Sequence, residues 1–113
     1  MKKTVLGELE ELVLLVVAAS TEDAYGVSVL EQLQQHTGRQ FTVSAVHTTL
    51  YRLEEKGFLS SHVGGATTER GGRRKRLFNL TAAGGRVLLE IQQMRTRLWE
   101  GIPDEKLQLL GIR

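Results

Sequence analysis

The chain has 113 residues, with 15 Lys+Arg against 13 Asp+Glu, no cysteine and one proline. Its length suits one ordinary domain with a small core, and 41% apolar against 25% charged residues fits a globular chain rather than a disordered one. The missing cysteines exclude disulfides, thiolate zinc sites, cysteine nucleophiles and iron–sulfur ligation, while a net charge of +2 is too small to name a partner.

The N-terminus imitates a secretory signal, with Met1-Lys2-Lys3 followed by the apolar run from Leu12 to Ala19. Glu8, Glu10 and Glu11 interrupt that pattern, and the run is far shorter than the roughly 20 residues that span a bilayer. We therefore expect a buried first helix over residues 5–19 of a cytoplasmic protein with no membrane association. Val5, Leu6, Leu9, Leu12, Val13, Val16 and Val17 recur there at helical spacing. From Leu12 onward the apolar character goes all the way round, so a second face is expected to meet another subunit.

After the polar stretch Ser20-Thr21-Glu22-Asp23, a second helix is expected over about 24–37, with Val27, Leu30 and Leu33 as its buried stripe. Gly38 stands where a left-handed residue ends a helix. Residues 39–43 read as a short turn or bridging strand with Phe41 and Val43 inward. Ser44 is the expected N-cap of a third helix over 45–56, and Gly57 its stop. Steps of 100° put Val46, Leu50 and Leu53 on one face. The other face carries Ser44, Thr48, Tyr51 and Glu55, flanked by His47 on one side and by Ala45 and Arg52 on the other.

Residues 58–63 and 73–80 read as two strands of a hairpin, with Gly64-Gly65 and Gly71-Gly72 bracketing its tip. This is also where the positive charge collects. Residues 58–80 hold Arg70, Arg73, Arg74, Lys75 and Arg76 against Glu69 alone, whereas residues 1–43 carry three basic and six acidic side chains. Thr81 then caps a long helix over about 82–100, with Val87, Ile91, Met94 and Leu98 as its stripe and Leu88 and Trp99 beside them. Pro103, Asp104 and Glu105 open a short terminal helix. The fold class is mainly α with a small β-hairpin. Residues 1–80 form a winged helix-turn-helix unit, and 81–113 a C-terminal dimerisation helix plus the short terminal one.

In a winged helix-turn-helix, the second helix of the pair enters the DNA major groove. Thr42, Ser44, Ala45, His47, Thr48, Tyr51 and Arg52 are the expected readers of double-stranded DNA there, since small hydroxyls approach base edges and phosphates closely. Arg70, Arg73, Arg74, Lys75 and Arg76 on the wing would neutralise phosphates or enter the minor groove. The three-helix core is already supplied, so the stripe of the long helix is expected against a second copy of the chain. That homodimer interface would comprise Leu9, Val13, Val16, Val87, Leu88, Ile91, Met94, Leu98 and Trp99.

No nucleophile–base pair, Walker loop or zinc-ligand spacing is present, so neither an enzyme nor a cofactor or metal site is expected. The rival reading is a winged helix used only to dock proteins, which predicts an apolar or acidic recognition face. Here that face carries hydroxyls, a tyrosine and an arginine, with Glu55 its one acid. An A-form major groove is too narrow for such a helix, which disfavours duplex RNA.

Four blocks carry a family resemblance: Leu6-Gly7-Glu8-Leu9-Glu10-Glu11-Leu12-Val13-Leu14-Leu15, then Ala24-Tyr25-Gly26-Val27, then Ser44-Ala45-Val46-His47-Thr48-Thr49-Leu50-Tyr51-Arg52-Leu53-Glu54-Glu55-Lys56-Gly57, and finally Glu69-Arg70-Gly71-Gly72-Arg73-Arg74-Lys75-Arg76-Leu77-Phe78-Asn79-Leu80-Thr81. In this order, over about residues 6–98, they resemble the PadR-like transcriptional regulators, in particular the short members with one C-terminal dimer helix. The resemblance implies a homodimeric repressor on a roughly palindromic operator, often near its own gene. Some relatives sense flat aromatic compounds between subunits. Trp99 therefore has two readings, interface filler or wall of a pocket for a small apolar or aromatic effector. Two departures stand out. His47 occupies a position where the family usually has tyrosine, and Leu77-Phe78 replaces its usual paired tyrosines before the capping threonine.

Overall fold

Three glutamates at its start orient the first helix, because carboxylates favour the positive end of the helix dipole. In the computed structural model, which describes residues 6–64 and 75–113, α1 (Glu8–Ala19) opens after Gly7, whose N–H donates to the Glu10 carboxylate at 2.9 Å. Residue 5, expected inside this helix, lies outside the described residues. The Ser20 hydroxyl donates to the Val16 carbonyl at 2.9 Å at the other end.

α2 (Gly26–Thr37) follows a short loop and ends at Gly38, whose φ of 68° is the left-handed conformation expected there. Its buried stripe is Val29 and Leu33 with Leu30 half-buried, and Val27 is 41% exposed. The correction follows from helix phase, since Val27 lies about 200° round from Val29. Residues 39–43 form no strand. Phe41 is half-buried beneath the Arg39 guanidinium, 5.1 Å from its ring centroid, and Val43 is 43% exposed because it already opens the next helix.

α3 (Val43–Glu55) is capped by Thr42 rather than Ser44: the Thr42 hydroxyl accepts from the Ala45 N–H at 3.0 Å. Both residues have a suitable oxygen, and the extended backbone of Thr42 decides between them. Val46, Leu50 and Leu53 are fully buried, as expected. Thr49 is buried with them and satisfies its hydroxyl on the Ala45 carbonyl at 2.8 Å.

β1 (Leu59–Val63) and β2 (Arg76–Leu80) pair antiparallel, from Leu59 opposite Leu80 to Val63 opposite Arg76. The bridging segment is found elsewhere than expected. Ala24, between α1 and α2, exchanges both backbone hydrogen bonds with Phe78, at 3.2 and 2.7 Å. The wing is thereby fastened to the loop that opens α2.

α4 (Ala82–Glu100) begins at Thr81, whose hydroxyl accepts from the Gly84 N–H at 3.0 Å and donates to the Gly57 carbonyl at 2.7 Å. Gly84 is required there, since a Cβ would stand 2.3 Å from the Phe58 carbonyl oxygen. α5 (Asp104–Leu109) closes the chain with Pro103 as its N-cap. The core gathers Val13, Leu14 and Val17 of α1, Val29 and Leu33 of α2, the α3 triplet, and Phe58, Leu59, Phe78 and Val87. No described helix is long and apolar enough to cross a membrane.

Candidate nucleic-acid interface and dimer face

The buried side of α3 leaves its other side outward. Thr42, Ser44, His47, Thr48, Tyr51 and Arg52 are all exposed, and Ala45 is half-buried among them. The Thr42 oxygen is engaged as the helix cap. Tyr51 is 42% exposed and meets the Phe78 ring edge-on, with centroids 5.7 Å apart and planes at 78°. Phe78 itself is 2% exposed, where a tyrosine hydroxyl would need a buried partner.

His47 reaches back toward the start of α2. A Cβ on Gly26 would stand 2.1 Å from the His47 Nε2, so the imidazole occupies the space a side chain at Gly26 would take. Glycine in the Tyr25-Gly26 pair thus lets α3 pack close to α2. Tyr25 in turn carries the Lys75 ammonium over its ring, 3.7 Å from the centroid.

Arg76 is placed by a relay from α3. Its guanidinium donates to the Ser61 hydroxyl at 2.9 Å, and that hydroxyl donates to the Glu54 carboxylate. Lys75 and Arg76, the described cations of the wing, thus border the α3 face. Arg70, Arg73 and Arg74 lie outside the described residues. Nothing in the sequence pattern had singled out Glu54, Ser61 or Tyr25 as positioning groups, because each acts through a partner distant in the chain.

Ion pairs hold α3 and its approach from the rear. Glu10 accepts from the Lys56 ammonium at 2.7 Å, just past the end of α3, and Glu8 accepts from Arg39 at 2.6 Å. Burial by itself would raise the pKa of Glu10. The Lys56 hydrogen bond, the Gly7 N–H and the charges of Lys56 and Arg52 outweigh it and hold the carboxyl below its ordinary value. Glu11 accepts two bonds from Arg95 of α4, at 2.8 and 3.2 Å, and this pairing raises the Arg95 pKa.

The residues expected at a dimer face divide into two groups. Val13 is fully buried and Val87 is 6% exposed, both within the protomer's own core, so neither is open to a partner. Leu9, Val16, Leu88 and Ile91 are half-buried against that core. Met94, Leu98 and Trp99 are 40%, 67% and 63% exposed. Leu15 and Leu89, absent from the expected interface, are 45% and 53% exposed. Leu15, Leu88, Leu89 and Trp99 share a groove of about 530 Å³ between α1 and α4. Among the described residues, no group of three His, Cys, Asp or Glu side chains is placed to hold a metal ion.

The comparison with curated proteins found no match. Among solved structures, a PadR-like transcription factor from Bacteroides fragilis superposes with a TM-score of 0.69 at 22% identity, over 81% of this chain and 84% of that one. A PadR family regulator from Eggerthella lenta does so at 0.66 with 28% identity, over 83% and 81%. PadR of Bacillus subtilis, solved in complex with operator DNA, gives 0.64 at 17% identity over 75% of this chain, which spans 46% of that protein. The match to the profile of the transcriptional regulator PadR-like family runs over residues 13–90, through the helix-turn-helix, the wing and half of α4. That span is more than half of the chain, and on it this protein belongs to the PadR-like family of transcriptional regulators.

Proposed function

We propose that the protein is a homodimeric, sequence-specific DNA-binding repressor that recognises a roughly palindromic operator. Residues 1–80 are the reading head, and residues 81–113 the dimerisation unit. α3 lies in the major groove with Thr48, His47, Tyr51 and Arg52 toward the bases and phosphates. Lys75, Arg76 and the arginines of the wing neutralise adjacent phosphates. The dimer forms through the outer faces of α1 and α4, with Leu15, Met94, Leu98 and Trp99 against the partner. A flat aromatic effector would lie against Trp99 in the groove between those helices.

The observation that carries this reading is the make-up of the α3 face. It is outward, hydroxyl-rich and bordered by wing cations held in place through Glu54, Ser61 and Tyr25. That the Bacillus subtilis relative was solved in complex with operator DNA supports DNA as the partner of this chain. Selection from random duplexes at near-physiological salt tests it. Enrichment of two inverted half-sites, centred one helical turn of about 34–36 Å apart or a multiple of it, is the expected result. Thr48→Ala should then change the preferred half-site, whereas equal losses on specific and random DNA would argue against base reading by α3.

A further inference from the structure

The end of the chain is apolar on one side. Along α5 and its C-cap, steps of 100° put Leu109, Lys106 and Leu110 on one face with Glu105 at its edge, and Asp104 and Gln108 on the opposite one. Leu109 is 88% exposed, Leu110 65% and Ile112 67%. The segment is also carried away from its own protomer. α4 is about 28 Å long at 1.5 Å per residue, and each of its residues from Gln92 to Glu100 is exposed.

A groove of complementary character lies between α1 and α2, about 750 Å³ in volume. Leu12, Leu15, Val16 and Leu33 form its apolar part, Glu22 and Asp23 stand among its polar residues, and no lysine or arginine lines it. Leu15 also lines the groove between α1 and α4. A chain lying along the α1–α4 groove thus passes over Leu15 directly into the α1–α2 groove.

We propose that α5 of one protomer docks in the α1–α2 groove of a second copy. Leu109 and Leu110 rest on the apolar floor, and Lys106 meets the Glu22–Asp23 rim. The inference rests on the homodimer reading above and adds what the end of the dimer helix does. Its consequence is specific to a DNA reader: α2 is the first helix of the helix-turn-helix, so the partner's tail ties the two reading heads together and fixes their spacing.

The cysteine-free chain makes a direct test simple. Two differently tagged copies are co-expressed, one bearing Thr21→Cys on the groove rim and the other Gln108→Cys on α5, and treated with a short bis-maleimide. The expected product joins the two tags, and it is absent when Glu55→Cys on the α3 face replaces Thr21→Cys. Leu109→Glu combined with Leu110→Glu, both exposed in the protomer and so compatible with its folding, should remove that product and weaken dimerisation about tenfold or more. If the wild type is dimeric by light scattering but the paired Thr21→Cys and Gln108→Cys copies give no joined product, or Glu55→Cys gives as much, the docking of α5 alone is overturned. A wild-type monomer overturns the homodimer reading and this inference together.

Discussion

Glu10 shows how one side chain can tie α3 to α1. Its side chain is only 12% exposed, and it joins the start of α1 to Lys56 at the end of α3. Its pKa in the folded protein lies below the ordinary 4.5. A carboxyl depressed by folding adds stability in full above its unfolded pKa, and loses that contribution as the pH falls through the folded value. Glu10→Gln should therefore be less stable than wild type by about 1 kcal/mol or less at neutral pH, with the difference shrinking as the pH falls through the depressed folded value. Urea denaturation of both proteins at pH 7 and pH 3 measures this. A difference that does not shrink at all between pH 7 and pH 3 would trace the loss to packing rather than to charge.

The elements were legible where local chemistry alone determines them. Thr81 as cap and the left-handed Gly38 can each be read within a few residues of sequence, and the structure has them there. Residues 39–43 misled because Phe41 and Val43 alternate as a strand would, yet no partner strand reaches them. The true bridge, Ala24 to Phe78, joins residues far apart in the chain, and such pairing leaves no periodic trace. The wing repeats this lesson at the candidate site: its cations were visible as a cluster, but the relay from Glu54 through Ser61 to Arg76 was not. That placement yields a prediction for β2 and the residue before it. Lys75→Ala and Arg76→Ala should each weaken binding to all duplexes and flatten the slope of log affinity against log salt by about 0.9, the value for one phosphate contact. Titrations from low to high salt check this, and an unchanged slope would take that side chain off the phosphate backbone.

Across the whole molecule, the protomer is too extended for its length. Its radius of gyration is 17.2 Å and its longest dimension 58 Å, whereas a compact chain of this size would have a radius near 13 Å. Part of this extension is α4, whose residues from Gln92 to Glu100 are all exposed although Arg95 reaches back to Glu11 of α1. Leu15, Leu89 and Trp99 are exposed along the α1–α4 groove, while Met94 and Leu98 are exposed on another side of α4. The sequence suggested a second use for α1 and α4, but it could not separate the residues that close the core, Val13 and Val87, from those left exposed, because both sets follow the same helical period. The distinction matters for testing association. A charge at Val87 would destroy the core and say nothing about the dimer. Leu98 is 67% exposed in the protomer, so Leu98→Glu should leave folding intact while burying an unpaired carboxylate at the proposed interface. The variant should keep the helical circular dichroism of the wild type, run as a monomer in light scattering, and lose the preference for a two-half-site duplex over a single half-site. Retention of a dimer by a folded Leu98→Glu protein would move the interface away from the end of α4.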